Sequence, residues 1–225
     1  LRPSDPSDAA GEMQPGEPRE HRDFPLATYK VKKRPRRLGF PLELDVTTPR
    51  AGYLELAALK PGYQAANIAC AVVLCENYLG RALDAAALYE SVVSCPTPGR
   101  FQLLRPEPPV LIDACHNPQS VGAFLSAMAE IEPDPAARPA LLCAVLADKD
   151  VDGIARLLAP AFPRVYVTQT TSPRALPVAE LAEVFHSEVA GVYGSVPDAV
   201  SSLCGESYVA CGSITLAGEV AAEFA

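Results

Sequence analysis

Val110-Leu-Ile-Asp-Ala-Cys-His-Asn-Pro118 packs three apolar residues, an acid, a histidine and a helix-opening Asn-Pro into nine positions. A short apolar run ending on polar groups reads as a buried parallel strand, with its payload at the carboxyl end where open α/β sheets hold ligands. Pro118 suits the first turn of a helix over Gln119–Glu130, and Asn117 can cap the free amides there. Asp113 and His116 then sit on a strand-to-helix loop, beside a helix N-terminus that favours anions. The same spacing also fits an acidic turn carrying an incidental histidine.

The pattern repeats downstream. Apolar runs at Val110–Ile112, Ala140–Leu146, Val165–Thr168 and Tyr208–Cys211 alternate with helical stretches at Gln119–Glu130, Val151–Ala161, Val178–Val189 and Ile214–Phe224. That alternation implies βαβ units and a Rossmann-like three-layer α/β domain with a mostly parallel sheet. Upstream, Leu42-Glu-Leu-Asp-Val46 and Tyr53-Leu-Glu-Leu56 alternate around Thr48–Gly52 as a hairpin. Helices follow at Ala65–Leu79 and Asp84–Val93, the second with an acid near its positive dipole end. Pro96-Thr-Pro-Gly-Arg100 reads as a rigid hinge between two parts, 23–97 and 98–225. Residues 1–22, mixing Pro, Gly, Ser and acids, read as a flexible linker or exposed insertion.

Composition excludes several classes. A net charge of −8 argues against nucleic acid and anionic membranes as partners, and there is no apolar run long enough to span a bilayer. The basic cluster Tyr29–Arg37 reads as a solvated edge strand and turn. The cysteines form no C-x-x-C pair. Several, Cys70, Cys143 and Cys211 among them, fall in apolar runs and read as reduced, buried small hydrophobes of a cytoplasmic protein. His21, His116 and His186 have no metal-site spacing, so no metal ligand is expected. Cys115 beside His116 is not expected to form a nucleophile–base pair, because neighbours in a loop point apart. Neither G-x-G-x-x-G after the first strand of the second part nor G-x-x-x-x-G-K-[ST] anywhere is present.

Polar groups recur at the strand ends: Asp113 and His116, Asp148-Lys-Asp150, Pro173-Arg174, and Gly212-Ser213. Together with Arg100 at the hinge they suit a phosphate- or carboxylate-bearing ligand. The collinear series Gly62-Tyr-Gln-Ala-Ala-Asn67, Pro98-Gly-Arg100, Asp113–Pro118, Asp148-Lys-Asp150, Pro173-Arg-Ala175 and Gly212-Ser213 resembles folylpolyglutamate synthase/dihydrofolate synthase of the Mur ligase superfamily. The resemblance covers about Asp23 to the C-terminus.

It implies an ATP-dependent ligase that joins L-glutamate to the carboxylate of a folate or dihydropteroate through an acyl phosphate. In that resemblance 23–97 is the C-terminal part of a central ATP-binding domain and 98–225 the glutamate-ligase domain. Gln64, Asn67, Arg100 and Asp113 would bind ATP; His116, Lys149 and Ser213 would hold glutamate; Asp113 and His116 would be catalytic. Mg2+ would be needed, with its ligands in an N-terminal part that this chain lacks, as it lacks the phosphate-binding loop. The chain, which begins at Leu1, is then expected to be a C-terminal portion, inactive alone and monomeric. Two departures stand out: Tyr63 where the family has histidine, and Ala114-Cys115 where it has Gly-Ala. The alternatives are a Mur-type ligase for another amino acid–acceptor pair, and a noncatalytic Rossmann-like binding domain. Within the fold family substrate choice is an analogy.

Overall fold

The apolar runs become the middle of a sheet because alternate residues along each strand face different layers of helices. The computed structural model describes residues 27–95, 97–186 and 189–225; the expected linker 1–22 lies outside these. The N-terminal elements are β1 (Thr28–Lys33), β2 (Leu42–Thr47), β3 (Gly52–Ala58), α1 (Gln64–Leu79) and α2 (Ala85–Ser94). After the turn at Gly99 come β4 (Gln102–Pro106), β5 (Pro109–Ile112), α3 (Pro118–Ile131), β6 (Ala140–Cys143), α4 (Val151–Leu158), β7 (Val165–Thr168) and α5 (Val178–Phe185). The chain ends with β8 (Val189–Tyr193), α6 (Val196–Ser202), β9 (Tyr208–Cys211) and α7 (Ile214–Ala222). Among the described residues no helix is long and apolar enough to cross a membrane.

The larger sheet runs β4-β5-β9-β6-β7-β8, parallel from β5 to β8 with β4 antiparallel at the edge. Alternate residues feed two cores. Leu111, Leu141, Cys143, Val165, Val167, Val209 and Cys211 pack under α3, α4 and α5. Val110, Ile112, Ala140, Leu142, Tyr208 and Ala210 pack under α6 and α7. A sheet buried on both faces accounts for the near-continuous apolar runs. Each chain segment leaving β5 or β6 turns to the first helical layer, whereas β9 feeds α7 in the second. The crevice beside β9 is therefore a topological switch point, flanked by the Asp113 loop, the residues after β6 and Gly212-Ser213.

The smaller sheet orders β1-β2-β3, antiparallel throughout, against α1 and α2. β1 is the expected edge strand: most of its residues are exposed, and Lys32 and Lys33 pair with Asp45 and Glu43. Under the hairpin, the buried Glu76 carboxylate accepts from Tyr53 Oη at 2.6 Å and Thr48 Oγ1 at 3.0 Å.

Several sequence expectations need correcting. The helix expected through Val189 stops at Phe185, where His186 takes φ 52° and the chain enters strand β8. The strand expected to run from Ala140 to Leu146 ends at Cys143, and the helix expected over Val151–Ala161 gives way at Ala159 to a short 3-10 turn. Elements β4, β8 and α6 lie outside the expected pattern. Cys70 and Cys75 are exposed on α1, and Cys95 and Cys204 are exposed after α2 and α6; only Cys115, Cys143 and Cys211 are buried, and no disulfide joins any of the seven.

Candidate active site

Asn117 stops the backbone in an extended conformation and its side chain accepts from Ser120 N at 2.8 Å, while Ser120 Oγ accepts from the amides of His116 and Asn117. This reciprocal cap fixes the angle at which the loop enters α3. Neither Ala114 nor Cys115 lies in the left-handed region, so replacing the family's Gly-Ala costs the backbone nothing here. Cys115 turns inward beside Cys211 and Cys143, and burial pushes the Cys143 thiol upward. The His116 ring returns to its own loop, with Nδ1 2.9 Å from Ala114 O. A proton on Nδ1 leaves Nε2 as a free acceptor. Cys115 and His116 thus point apart, as expected.

Asp113 is 3% exposed. Its Oδ2 accepts from Phe101 N at 2.9 Å and its Oδ1 from Cys115 N at 2.8 Å. Burial raises its pKa above the usual carboxylate value, opposed by those two amides and by the charge of Arg100. The carboxylate therefore ties the hinge to the loop: Phe101, held at φ 49°, cannot leave without stranding it. Next to it, Ala114 N donates to Gly99 O at 2.7 Å. Gly99 has φ 64°, and a Cβ there would meet Ala114 Cβ at 3.3 Å. Glycine is needed at this close approach.

Tyr63, at the start of α1, reaches across to the same place. Its phenol is pushed up to about 12, by burial first and then by the Asp113 charge, with Gln64 and Arg100 pulling the other way. Asn67 Nδ2 donates to Gln64 Oε1 at 2.7 Å, and both line a 310 Å³ apolar hollow between α1 and α2. Arg100 is exposed and lines a different hollow. The two hollows meet at Lys60 and Thr97, which share a 2.7 Å hydrogen bond.

Along the sheet edge, Asp148 sits between two cations, with Arg174 at 2.6 Å and Lys149 at 3.3 Å. The hydrogen bond from Arg174 holds its carboxyl below the usual value. Ser213 is fully buried and its hydroxyl caps α7, accepting from Leu216 N at 3.0 Å. In this conformation it offers no surface to a ligand. The structure thus gathers Asp113, Arg100, Tyr63 and Gln64 at one junction, places Lys149 and Arg174 at the neighbouring strand end, and turns Ser213 inward. The involvement of Tyr63 had a signal in the sequence, its place in the Gly62–Asn67 run beside the hinge partner Gln64.

A switch-point crevice beside a mostly parallel sheet, edged by an acid, a histidine and paired cations, is where an open α/β fold holds its ligands. Residues 99–211 match the model of the family described as Mur ligase, glutamate ligase domain, and the chain belongs to that family. It is 40% identical over 124 residues to dihydrofolate synthase/folylpolyglutamate synthase of Mycobacterium tuberculosis (strain ATCC 25618 / H37Rv), over 53% of this chain and 25% of that one. It is 26% identical over 160 residues to folylpolyglutamate synthase of Lacticaseibacillus casei, over 66% and 37% respectively. Structures of Mycobacterium tuberculosis folylpolyglutamate synthase complexed with ADP and AMPPCP superpose with a TM-score of 0.74 at 29% identity, over 87% of this chain and 48% of that one. The chain thus spans between a quarter and a half of the relatives it matches here.

Proposed function

We propose that the chain supplies the glutamate-ligase portion of an ATP-dependent enzyme that joins L-glutamate to a folate or dihydropteroate carboxylate. The observation that carries this reading is the Asp113 carboxylate, buried at a stability cost and tying the hinge to the loop that presents His116. In it, 23–97 belongs to the ATP-binding domain and 98–225 is the ligase domain.

The acceptor carboxylate takes the γ-phosphoryl group of ATP, releasing ADP. The glutamate amine then attacks the acyl phosphate, and phosphate leaves. Such chemistry needs two substrates held in line and positive charge around the transferring group. Arg100, always charged and able to bind two phosphate oxygens, meets the nucleotide at the hinge with Gln64 and Asn67. Asp113 acts through Phe101 and the loop, and its charge holds Arg100 in range. His116 Nε2 takes the amine proton as the amide forms. Lys149, with Arg174 beside it, holds the glutamate carboxylates, and Ser213 orients α7 behind them. Among the described residues no set of three His, Cys, Asp or Glu side chains converges on a metal position. No step here passes through magnesium. With no G-x-x-x-x-G-K-[ST] run in the sequence, the chain alone is expected to show no ligase turnover.

The test on the chain as it stands is an amide-resolved NMR titration with ADP and L-glutamate. Shifts centred on Arg100, Asp113, His116 and Lys149 are expected; shifts confined to other elements would refute the assignment.

A further inference from the structure

Three of the cysteines meet under the first helical layer: Cys115, Cys143 and Cys211, each at most 1% exposed. Cys115 lies on the loop between Asp113 and His116, Cys143 ends β6, and Cys211 ends β9. The Cys115 thiol is in hydrogen-bond contact with two groups, the Asp113 carboxylate and the Cys211 thiol. The contact with Cys115, followed by burial, pushes the Cys211 thiol upward. Burial does the same to Cys143. Of the three, Cys115 is the one with a carboxylate in hydrogen-bond contact to take its proton.

Backbone geometry decides which pair can bond. Cys143 and Cys211 are register partners on adjacent parallel strands, where side chains stand side by side at the strand spacing of about 4.8 Å. A disulfide needs β-carbons about 3.8 Å apart, so this ladder pair cannot close without parting the strands. The Cys143 sulfur is also wedged against Gly212, where a Cβ would come 2.9 Å from it. Cys115 escapes the ladder because it lies past the end of β5. There the loop leans onto β9: Asp113 N donates to Ala210 O at 3.0 Å, and Gly212 N donates to Cys115 O at 3.1 Å. These two bonds bracket Cys211 and hold the Cys115 sulfur against it. Tyr63, partly exposed, lies close enough for Cys115 to act on its phenol. The pair therefore sits near the open side of the junction.

We propose that Cys115 and Cys211 are a peroxide-sensitive thiol pair whose disulfide locks the loop between Asp113 and His116. Cys115 gives its proton to the Asp113 carboxylate, and its sulfur attacks one oxygen of hydrogen peroxide. The O–O bond breaks, and the departing hydroxide takes that proton and leaves as water. The Cys211 sulfur then attacks the sulfenic sulfur, the S–O bond breaks, and the hydroxyl leaves with the Cys211 proton as a second water. Two thiols lose two electrons and two protons while one peroxide becomes two waters. With the bridge closed, the loop that presents His116 is fastened to β9 covalently as well as by its backbone bonds. Neither the bridge nor the lock rests on the ligase reading; where that reading holds, the lock regulates its site.

The test first blocks the exposed Cys70, Cys75, Cys95 and Cys204, with N-ethylmaleimide on the folded chain or by replacement with serine. Hydrogen peroxide is then expected to remove two hydrogens from the intact mass. A non-reducing digest is expected to yield a peptide joining Cys115 to Cys211, and dithiothreitol to restore both thiols. Cys115→Ala and Cys211→Ala are each expected to abolish the loss, and Cys143→Ala to leave it. In urea the bridge is expected to form more slowly, because unfolding separates the two thiols. Amide hydrogen exchange over residues 113–117 is expected to slow in the bridged chain and to recover on reduction. Thiols of Cys115 and Cys211 still open to alkylation after peroxide and unfolding, a bridge to Cys143, or oxygen addition without a bridge overturns the proposal. So does a bridge that forms as fast in urea, or one that leaves the exchange of the loop unchanged.

Discussion

Replacing Asp113 separates the two jobs that its carboxylate does. Asp113→Ala removes the acceptor for Phe101 N and Cys115 N. A buried donor left unpaired costs about 1–3 kcal/mol, so the loss is about 2–6 kcal/mol, at the low end if water enters. Asp113→Asn keeps the shape and one acceptor oxygen, and it removes a buried charge. Because the folded carboxyl has a raised pKa, the folded state binds its proton more tightly than the unfolded one. Stability from this group is full below the unfolded value of 3.8 and falls as pH rises through the folded pKa. At neutral pH the ionised carboxylate therefore costs stability, about 1.4 kcal/mol for every tenfold difference in proton affinity between the folded and unfolded states. Asp113→Asn turns an NH2 donor on one of the two amides, so at pH 7 it is expected to lie between Asp113→Ala and wild type in stability, with wild type gaining on it as pH drops toward 4. Urea unfolding followed by far-UV circular dichroism at pH 4, 5.5 and 7 measures this. Equal losses for Asn and Ala at pH 7, or a wild type–Asn difference that ignores pH, would refute the reasoning. Asp113→Asn is expected to fold and to lose the ligand-induced shifts.

Further outcomes follow from other parts of the fold. Tyr208 Oη is buried with no hydrogen-bond partner among the described residues, and its pKa is pushed up to about 12 by burial; Tyr208→Phe is expected to be neutral or to stabilise by about 1 kcal/mol. The same substitution is expected to flatten the fall in stability between pH 10, where the unfolded phenol titrates, and about 12, read by urea unfolding in that window. Gly39→Ala places a methyl group in the left-handed region against Leu103 and is expected to cost about 1–3 kcal/mol by thermal unfolding. The Arg105 guanidinium donates to Pro108 O, Cys204 O and Glu206 O; both Arg105→Ala and Arg105→Lys are expected to destabilise by about 2–4 kcal/mol. Hydrogen exchange should then show loosening of the β4–β5 turn and the segment before β9.

The central strands were legible because burial on both faces writes them as apolar runs, as in Leu141-Leu-Cys143 and Tyr208–Cys211. Edge strands carry no such mark. β8 holds Gly191 under the Tyr166 ring, where a Cβ would come within 3.0 Å, and a glycine in a half-exposed strand reads as loop. Helix α6 did have a signature, Ser195 capping Asp198 N with Pro197 in the first turn, in a segment too short for periodicity to show. Asp113, His116 and the Asn117 cap were readable from local chemistry. That both Asp113 oxygens are taken by backbone amides, that Ser213 is sealed under α7, and that Cys115 meets Cys211 depend on contacts between distant segments. No local pattern encodes them.

The ligase reading is tested most directly by ATP-dependent incorporation of labelled L-glutamate, in a polypeptide that joins this chain to a phosphate-binding loop. Dihydropteroate and tetrahydrofolate serve as acceptors, with Arg100→Ala and His116→Ala alongside. The account predicts incorporation into at least one acceptor, abolished by both substitutions. No incorporation, or incorporation indifferent to both, would contradict it and leave the Asp113–His116 loop a structural turn of a binding domain.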